Sequence, residues 1–400
     1  MRGESGIAAG AVNVTTISGA VGCLHSRQPQ LLRTHDWDAR DLALVVRDER
    51  AREFRPANWV FLDVETTGLG PSTGVLPFLV GVGWLEGDGM QVEQYLLRDI
   101  GEEPALLHAI ASRMAPFAGI VTFNGKAFDV PLLRVRHALA RQDAAHLDRP
   151  HCDLLQVARR IWSHRAPDRR LKTLERCIAG VHRRGDVPGA LVPRLYQEFM
   201  RTGDPARLDP VVHHNRLDLH ALVGLAVAAA GFLGAARAGT AAWPPDRAAD
   251  ALRAARVLED AGDADGAIQL LKQCLAADPA TPTRLEALVR LAQLSRRQGS
   301  LTQAAECAAA AVLLDPDAAE LYEDLARLHE RNRGDRVTAL AWVDRGLARP
   351  IDAGGRSRLE RRRRRLTRSR DRTIEVAGSR IPPGITAAAD FFLEKRPVNC

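Results

Sequence analysis

Three glycines, Gly262, Gly299 and Gly334, recur at intervals of 37 and 35 residues in the later part of the chain. Five residues after each stands an alanine: Ala267, Ala304 and Ala339. Each unit runs to a proline (Pro279, Pro316, Pro350), where a helix would stop. A period of this length is the tightest constraint here on what the chain can fold into. One such unit cannot bury its own apolar face, so neighbours have to stack. The spacing predicts paired helices over 247–350, with the small alanines letting the two helices of a pair approach closely. Residues 239–245 (GTAAWPP) read as a linker, and before them the period is different.

Residues 1–57 are polar and irregular, with one predicted helix across 37–52. Then 58–64 (NWVFLDV), 77–85 (PFLVGVGWL) and 90–97 (MQVEQYLL) read as a three-strand meander broken by glycine-rich turns. Helical spacing follows at 102–117, a short buried strand at 119–123, and helical spacing again at 130–141. Beyond Asp153 helical segments dominate, up to a long apolar one at 217–233. Strands, a βαβ-like crossing and then helices define one α/β domain. The predicted layout is an N-terminal irregular segment (1–57), the α/β domain (58–235), a linker (236–246), all-α helical repeats (247–350), and an arginine-rich segment with a C-terminal tail (351–400).

No uninterrupted apolar run reaches the roughly 18–20 residues that a bilayer requires, so no membrane partner is expected. Six scattered cysteines without a C-x-x-C pair suggest neither a disulfide framework nor a zinc ribbon, which suits a reducing cytoplasm. Glu4, Asn13, Thr15, Thr16 and Ser18 interrupt any secretory core. The formal charge is +7, and residues 356–372, with ten arginines against Glu360 and Asp371, carry +8 of it. The rest of the chain is close to neutral.

The acids are the chemically informative residues. Asp63 and Glu65 lie two apart at the end of a predicted strand, so both carboxylates leave the same face. Asp129, in TFNGKAFD, follows another short strand, and Asp218, in HHNRLD, lies on or before an apolar helix. Four carboxylates converging in one fold repel unless a divalent cation neutralises them, and an oxygen-rich site of this kind suits Mg²⁺ or Mn²⁺.

DVETTGL, NGKAFD and HNRLD, in this order, resemble the three motifs of the DEDD, or DnaQ-like, exonucleases. The fuller pattern, with FLVGVG, TFNGKAFDVPLL, HCDLL and the later repeats, is similar to the bacterial YprB-like group of predicted exonucleases. The resemblance implies a ribonuclease H-like mixed sheet flanked by helices, and the repeats resemble tetratricopeptide repeats. It further implies that Asp63, Glu65, Asp129 and Asp218 bind two divalent ions. A His or Tyr before the last Asp would prepare the attacking water, and Thr67 and Leu69 match positions that contact the terminal nucleotide. Two metals about 4 Å apart supply what phosphodiester hydrolysis needs: an activated water, charge stabilisation at phosphorus and a stabilised leaving oxygen.

His213 stands five residues before Asp218 and His214 four before it, so each satisfies one of the family's two spacings. On a helix a four-residue step returns to within about 40° of the Asp, which favours His214; a loop would leave His213 in contention. Asn124 and Lys126, where strand gives way to helix, are candidate phosphate contacts, with turn chemistry around Gly125 as the alternative. Asp153 reads as a helix N-cap, and Lys172 as an exposed helix lysine or a nucleic-acid contact. The arginine run is either a phosphate-neutralising surface or a solvated terminal helix of the array, given Leu359 and Leu366 seven apart.

The expectation is a two-metal 3′–5′ exonuclease acting on DNA or RNA, with a protein partner recruited through the repeats. The alternatives are a structure-specific endonuclease, or a nucleic-acid-binding repeat scaffold with a weak or inactive nuclease domain.

Overall fold

The computed structural model describes residues 12–17, 21–29, 39–46, 50–51, 55–68, 73–87, 89–241, 243–333 and 335–368. The chain forms two units, Met1–Ala238 and Gly239–Cys400.

In the first unit β1 (Val12–Ile17), β2 (Val21–Pro29) and α1 (Ala39–Val46) precede β3 (Trp59–Thr66), β4 (Pro77–Glu86) and β5 (Gly89–Leu96). Then come α2 (Glu103–Met114), β6 (Gly119–Thr122), α3 (Asp129–Leu139), β7 (His151–Asp153), α4 (Leu154–Ile161), α5 (Leu171–Leu174), α6 (Val192–Thr202) and α7 (Asp209–Arg237). The strand order is β1-β2-β5-β4-β3-β6-β7. β3, β4 and β5 pair antiparallel, as the meander required, while β6 and β7 run parallel to β3. This is the expected mixed sheet flanked by helices.

The expectation that 1–57 is irregular apart from one helix is corrected: β1 and β2 form an antiparallel pair, and β2 extends the sheet along β5. Non-local backbone pairing with β5 places β2, and β1 follows through its own pairing with β2.

Alternation along β3 separates core from chemistry. Val60 and Leu62 enter a cluster with Phe78, Val80 and Val82, covered by Leu106, Leu107, Ile110 and Met114 of α2, Leu133 of α3 and Tyr196 of α6. Burying each such side chain stabilises the fold by roughly 1.5–3 kcal/mol. Asp63 and Glu65 occupy the alternate positions and leave the opposite face, where α7 lies. With the turn before it, α7 is long and apolar enough to cross a bilayer by length and composition, although Asn215, Arg216 and Asp218 break the run that the sequence displays. Its apolar window is 61% buried inside the protein, as in the core helix of a globular domain.

The second unit is a run of helices: α8 (Ala248–Asp260), α9 (Ala264–Ala276), α10 (Thr281–Arg297), α11 (Leu301–Leu314), α12 (Ala319–Arg333), α13 (Arg336–Leu347) and α14 (Ala353–Arg368). They pack as α8 with α9, α10 with α11 and α12 with α13. Gly262 and Gly299 take left-handed φ values of 85° and 79° at the turns, which glycine adopts without strain. Ala267, Ala304 and Ala339 are fully buried. Asp263 and Asp335 cap α9 and α13 by accepting from Gly266 N and Thr338 N. The arginine run is helical through Arg368. Leu359 and Leu366 are buried, and Arg358, Arg362, Arg363 and Arg365 pair with Glu323, Glu330 and Asp344 of α12 and α13. The run thus forms the terminal helix of the array, while Arg356, Arg361, Arg364 and Arg368 make no ion pair among the described residues. Residues 369–400 lie outside the described residues.

Candidate active site

β3 delivers Asp63 and Glu65 to the α7 side of the sheet. Asn215 of α7 donates through Nδ2 to Asp63 Oδ2 at 2.7 Å and to Asp63 O at 3.1 Å, and its Oδ1 accepts from Gln94 Nε2 at 2.8 Å. Gln94 also donates to Val212 O, so β5 fixes the rotamer that fixes Asp63. The close approach depends on Gly81 of β4, opposite Asp63 in the sheet: a Cβ there would fall inside contact distance of the Asn215 carboxamide. Neither Gln94 nor Asn215 was singled out in the sequence; the glycines of FLVGVG were the available signal.

The β6–α3 turn sets Asp129 in the first turn of α3, where a helix N-terminus favours an anion. Asn124 takes φ 66°. Its amide and that of Lys126 donate to the two oxygens of Asp153, at 2.8 and 3.2 Å, and Asp153 also caps α4 through Leu155 N at 3.0 Å. These amides are thereby engaged, which is the turn chemistry weighed as the alternative to phosphate contact. The Lys126 side chain is exposed. At Gly125 a Cβ would lie 2.5 Å from Thr122 Oγ1 and 2.7 Å from Asp129 Oδ2, so a side chain there would displace the acid.

α7 is helical across the third motif, and a four-residue step brings His214 to Asp218. His214 is buried; its Nε2 lies 3.6 Å from Asp218 Oδ2 and 3.8 Å from Glu65 Oε1. His213 turns away and bonds the Arg216 guanidinium at 3.1 Å. Thr67 sits in the turn after β3, where its hydroxyl accepts from Leu76 N at 3.0 Å. Leu69 lies outside the described residues.

Glu175, Arg183 and Asp186, which sequence reasoning did not place, complete the cluster together with Lys172. After α5 the chain makes a π-helical turn over Glu175–Ala179 and leaves it at left-handed Gly180, φ 69°. The following segment turns inward. Arg183 donates through Nη1 to Asp218 Oδ1 at 2.5 Å and to Asp186 Oδ2 at 3.2 Å, and through Nε to Glu175 Oε2 at 2.5 Å. Asp186 Oδ1 lies 2.5 Å from His214 Nδ1, and its other oxygen meets Lys172 Nζ at 2.6 Å. Lys172, read as an exposed helix lysine or a nucleic-acid contact, is exposed on α5, and its ammonium pairs with Asp186. Nothing in the periodicity marks an irregular segment of this kind.

Burial and mutual repulsion act together on the acids. Asp63 is pushed well above the usual carboxylate range by burial and then by Asp218, Glu65 and Asp129. Glu65 rises to about 8, from burial and then Asp218 and Asp129, and Asp129 rises to about 7, from burial and then Asp153. Asp186 goes the other way: burial pushes it up, but hydrogen bonds from Lys172 and His214 outweigh that and hold it at about 2. Arg183 is held above its ordinary range despite burial, chiefly by Asp218 and Glu175.

Oxygen donors dominate, and they fit the divalent ions usual for this class of fold. Glu65, His214 and Asp218 each offer a ligand atom, all within 4.8 Å of one another. Among the described residues no Lys or Arg pairs with Asp63, Glu65 or Asp129, so their repulsion is relieved either by holding protons or by a bound cation.

Residues 60–230 match the family model of the RNase_H superfamily, and residues 258–328 match that of the tetratricopeptide repeat. A stretch of 176 residues is 39% identical to the uncharacterized protein YprB of Bacillus subtilis (strain 168), covering 44% of this chain and 42% of that relative. The matched stretch is thus less than half the length of either protein.

Proposed function

We propose that this chain, in which a ribonuclease H superfamily domain is joined to tetratricopeptide repeats, is a metal-dependent nuclease that removes nucleotides from the 3′ ends of nucleic acid. The observation that carries the reading is the convergence of Asp63, Glu65, Asp129 and Asp218, half-buried and mutually repelling. The exonuclease polarity rests on the order of the three sequence motifs and their resemblance to the DEDD enzymes.

Charge supports divalent ions. Asp63, Glu65 and Asp129 repel one another and neighbouring acids and have no Lys or Arg partner among the described residues, and Mg²⁺ or Mn²⁺ would relieve that repulsion. The four acids of the motifs would hold the ions. Such ions, when bound, neutralise charge growing on the phosphoryl oxygens and stabilise the leaving oxygen.

The chain's own residues handle the proton. His214 Nδ1 is occupied by Asp186, so Nε2 is the atom facing the acids, and it takes the proton of the attacking water. His213, bonded to Arg216, has no such part. Lys126, exposed one turn before Asp129, approaches substrate phosphate through its side chain. Thr67 and Leu69 contact the terminal nucleotide.

The repeats recruit a protein partner. A cleft of about 260 Å³ in the second unit is lined by Arg296, Arg297, Leu301, Arg327, Leu328 and Arg331. Arg296 and Arg331 make no ion pair among the described residues, which suits an acidic segment of that partner. Placement in the cytoplasm is part of the proposal and rests on the unpaired Cys152, Cys177, Cys274 and Cys307.

The test is cleavage of 3′-labelled and 5′-labelled single-stranded and duplex DNA and RNA with Mg²⁺, Mn²⁺ or EDTA, comparing wild type with Asp218→Asn. Metal-dependent loss of 3′ nucleotides in wild type alone is the expected result. Internal cuts would replace the exonuclease with a structure-specific endonuclease. Binding without cleavage would replace it with a scaffold.

A further inference from the structure

We infer that Arg183 and Asp186, on the segment after the π-helical turn, are positioning residues that hold Asp218 and His214 in working orientation. The inference rests on the nuclease reading only for what those two groups go on to do.

Each contact engages one atom of a working group and leaves its other atom facing the acids. Asp186 Oδ1 takes His214 Nδ1 at 2.5 Å, while Nε2 faces Glu65 and Asp218 at 3.8 and 3.6 Å. A neutral imidazole carries one proton, and a carboxylate that only accepts requires that proton on Nδ1. Nε2 then presents a lone pair. Without Asp186 the ring is free to put the proton on Nε2 and donate it to the acids, which removes the acceptor. Arg183 treats Asp218 in the same way: Nη1 takes Oδ1 at 2.5 Å, and Oδ2 is the oxygen nearest His214 Nε2.

The holders are themselves held. The Arg183 guanidinium also bonds Glu175 and Asp186, and Lys172 meets Asp186 from the far side. Only 6–7% of the Arg183 and Asp186 side chains is exposed, so neither swings freely. Gly180 and Gly185, at φ 69° and 67°, turn the segment inward. A network serving the fold alone would have no reason to end on one atom each of Asp218 and His214.

The experiment uses the full chain with ¹⁵N-labelled histidine and four variants: Asp186→Ala, Asp186→Asn, Arg183→Gln and Arg183→Lys. In Asp186→Ala the His214 ring signals should shift to a mixture of tautomers, and kcat should fall about 10–100-fold with KM held. Asp186→Asn, whose amide oxygen still accepts from Nδ1–H, should restore the single tautomer and most of kcat. An unchanged tautomer in Asp186→Ala, or no rescue by Asn, would overturn Asp186 as a positioning residue. For Arg183 the readout is Mn²⁺ affinity by calorimetry. If Arg183 only neutralised charge, Arg183→Gln would bind Mn²⁺ more tightly. If it aims Asp218, binding weakens about 10-fold and Arg183→Lys recovers part of it. Tighter binding in Arg183→Gln would overturn that half. Should wild type cleave nothing, the nuclease reading fails while the tautomer and Mn²⁺ measurements still decide the positioning.

Discussion

Two regions of this protein concentrate like charge and resolve it in opposite ways. The arginines of α14 line one helix, yet Arg358, Arg362, Arg363 and Arg365 each reach a carboxylate of α12 or α13, and Leu359 and Leu366 anchor the helix beneath them. The acids of the first unit are fewer, and among the described residues Asp63, Glu65 and Asp129 have no Lys or Arg partner. In the helix the fold answers half of the arginines with carboxylates. At the acids the charge is held against itself, and only something added from outside can answer it. A run of one sign in a sequence therefore points to a ligand only where the fold withholds the counter-charge.

The contrast is easiest to break at Asp129. Asp129→Asn keeps the shape and removes one repelling charge. Metal-dependent cleavage should fall by at least about 100-fold, while the metal-free protein melts at a higher temperature near pH 8. A variant that cleaves normally would end the comparison, because the acids would then need no cation.

Metal removal gives a smaller effect with a defined sign. Glu65 at about 8 and Asp129 at about 7 bind protons more tightly folded than as free carboxyls near pH 4. The native state holds the extra protons between roughly pH 4 and 8, so metal-free stability falls as pH rises through that window. Melts in EDTA and in Mg²⁺ across this range should diverge as pH increases, by about 2–4 °C for each kcal/mol of difference. Parallel curves would show that cations do not act at these acids.

The smallest change belongs to the helix. Arg363 and Asp344 are about half exposed, at 55% and 45%, and Arg363→Ala should cost no more than about 1 kcal/mol in denaturant unfolding. A much larger loss would mean that the arginines brace the repeats more strongly than exposed pairs do.

Much of this architecture was legible. The meander, the β6–α3 crossing and the repeats announced themselves because their burial is periodic: two for strands, 3.6 for helices, about 36 for the units. The shared face of Asp63 and Glu65 on β3, and the placement of His214 and not His213 beside Asp218, followed from the same geometry, given a helix at that point. β1 and β2 were not legible, because β2 is placed by distant backbone pairing with β5 and β1 by pairing with β2, and the short alternation Val12-Asn13-Val14-Thr15 was the only local signal. Arg183 and Asp186 were hidden for a related reason. They reach the site through an irregular segment, and three-dimensional proximity across 28 residues from Asp186 to His214 has no signature in one chain. Asn124 and Lys126 were found, but their amides serve Asp153.

The emptiness at Gly81 has a practical meaning for anyone mapping this protein. Alanine scanning works by subtraction, and a position with no side chain has nothing to subtract. Yet Gly81 is where the Asn215 carboxamide sits while it holds Asp63. Here the sequence stores instruction as vacated volume, legible only by addition, and a single methyl group is the smallest probe able to read it.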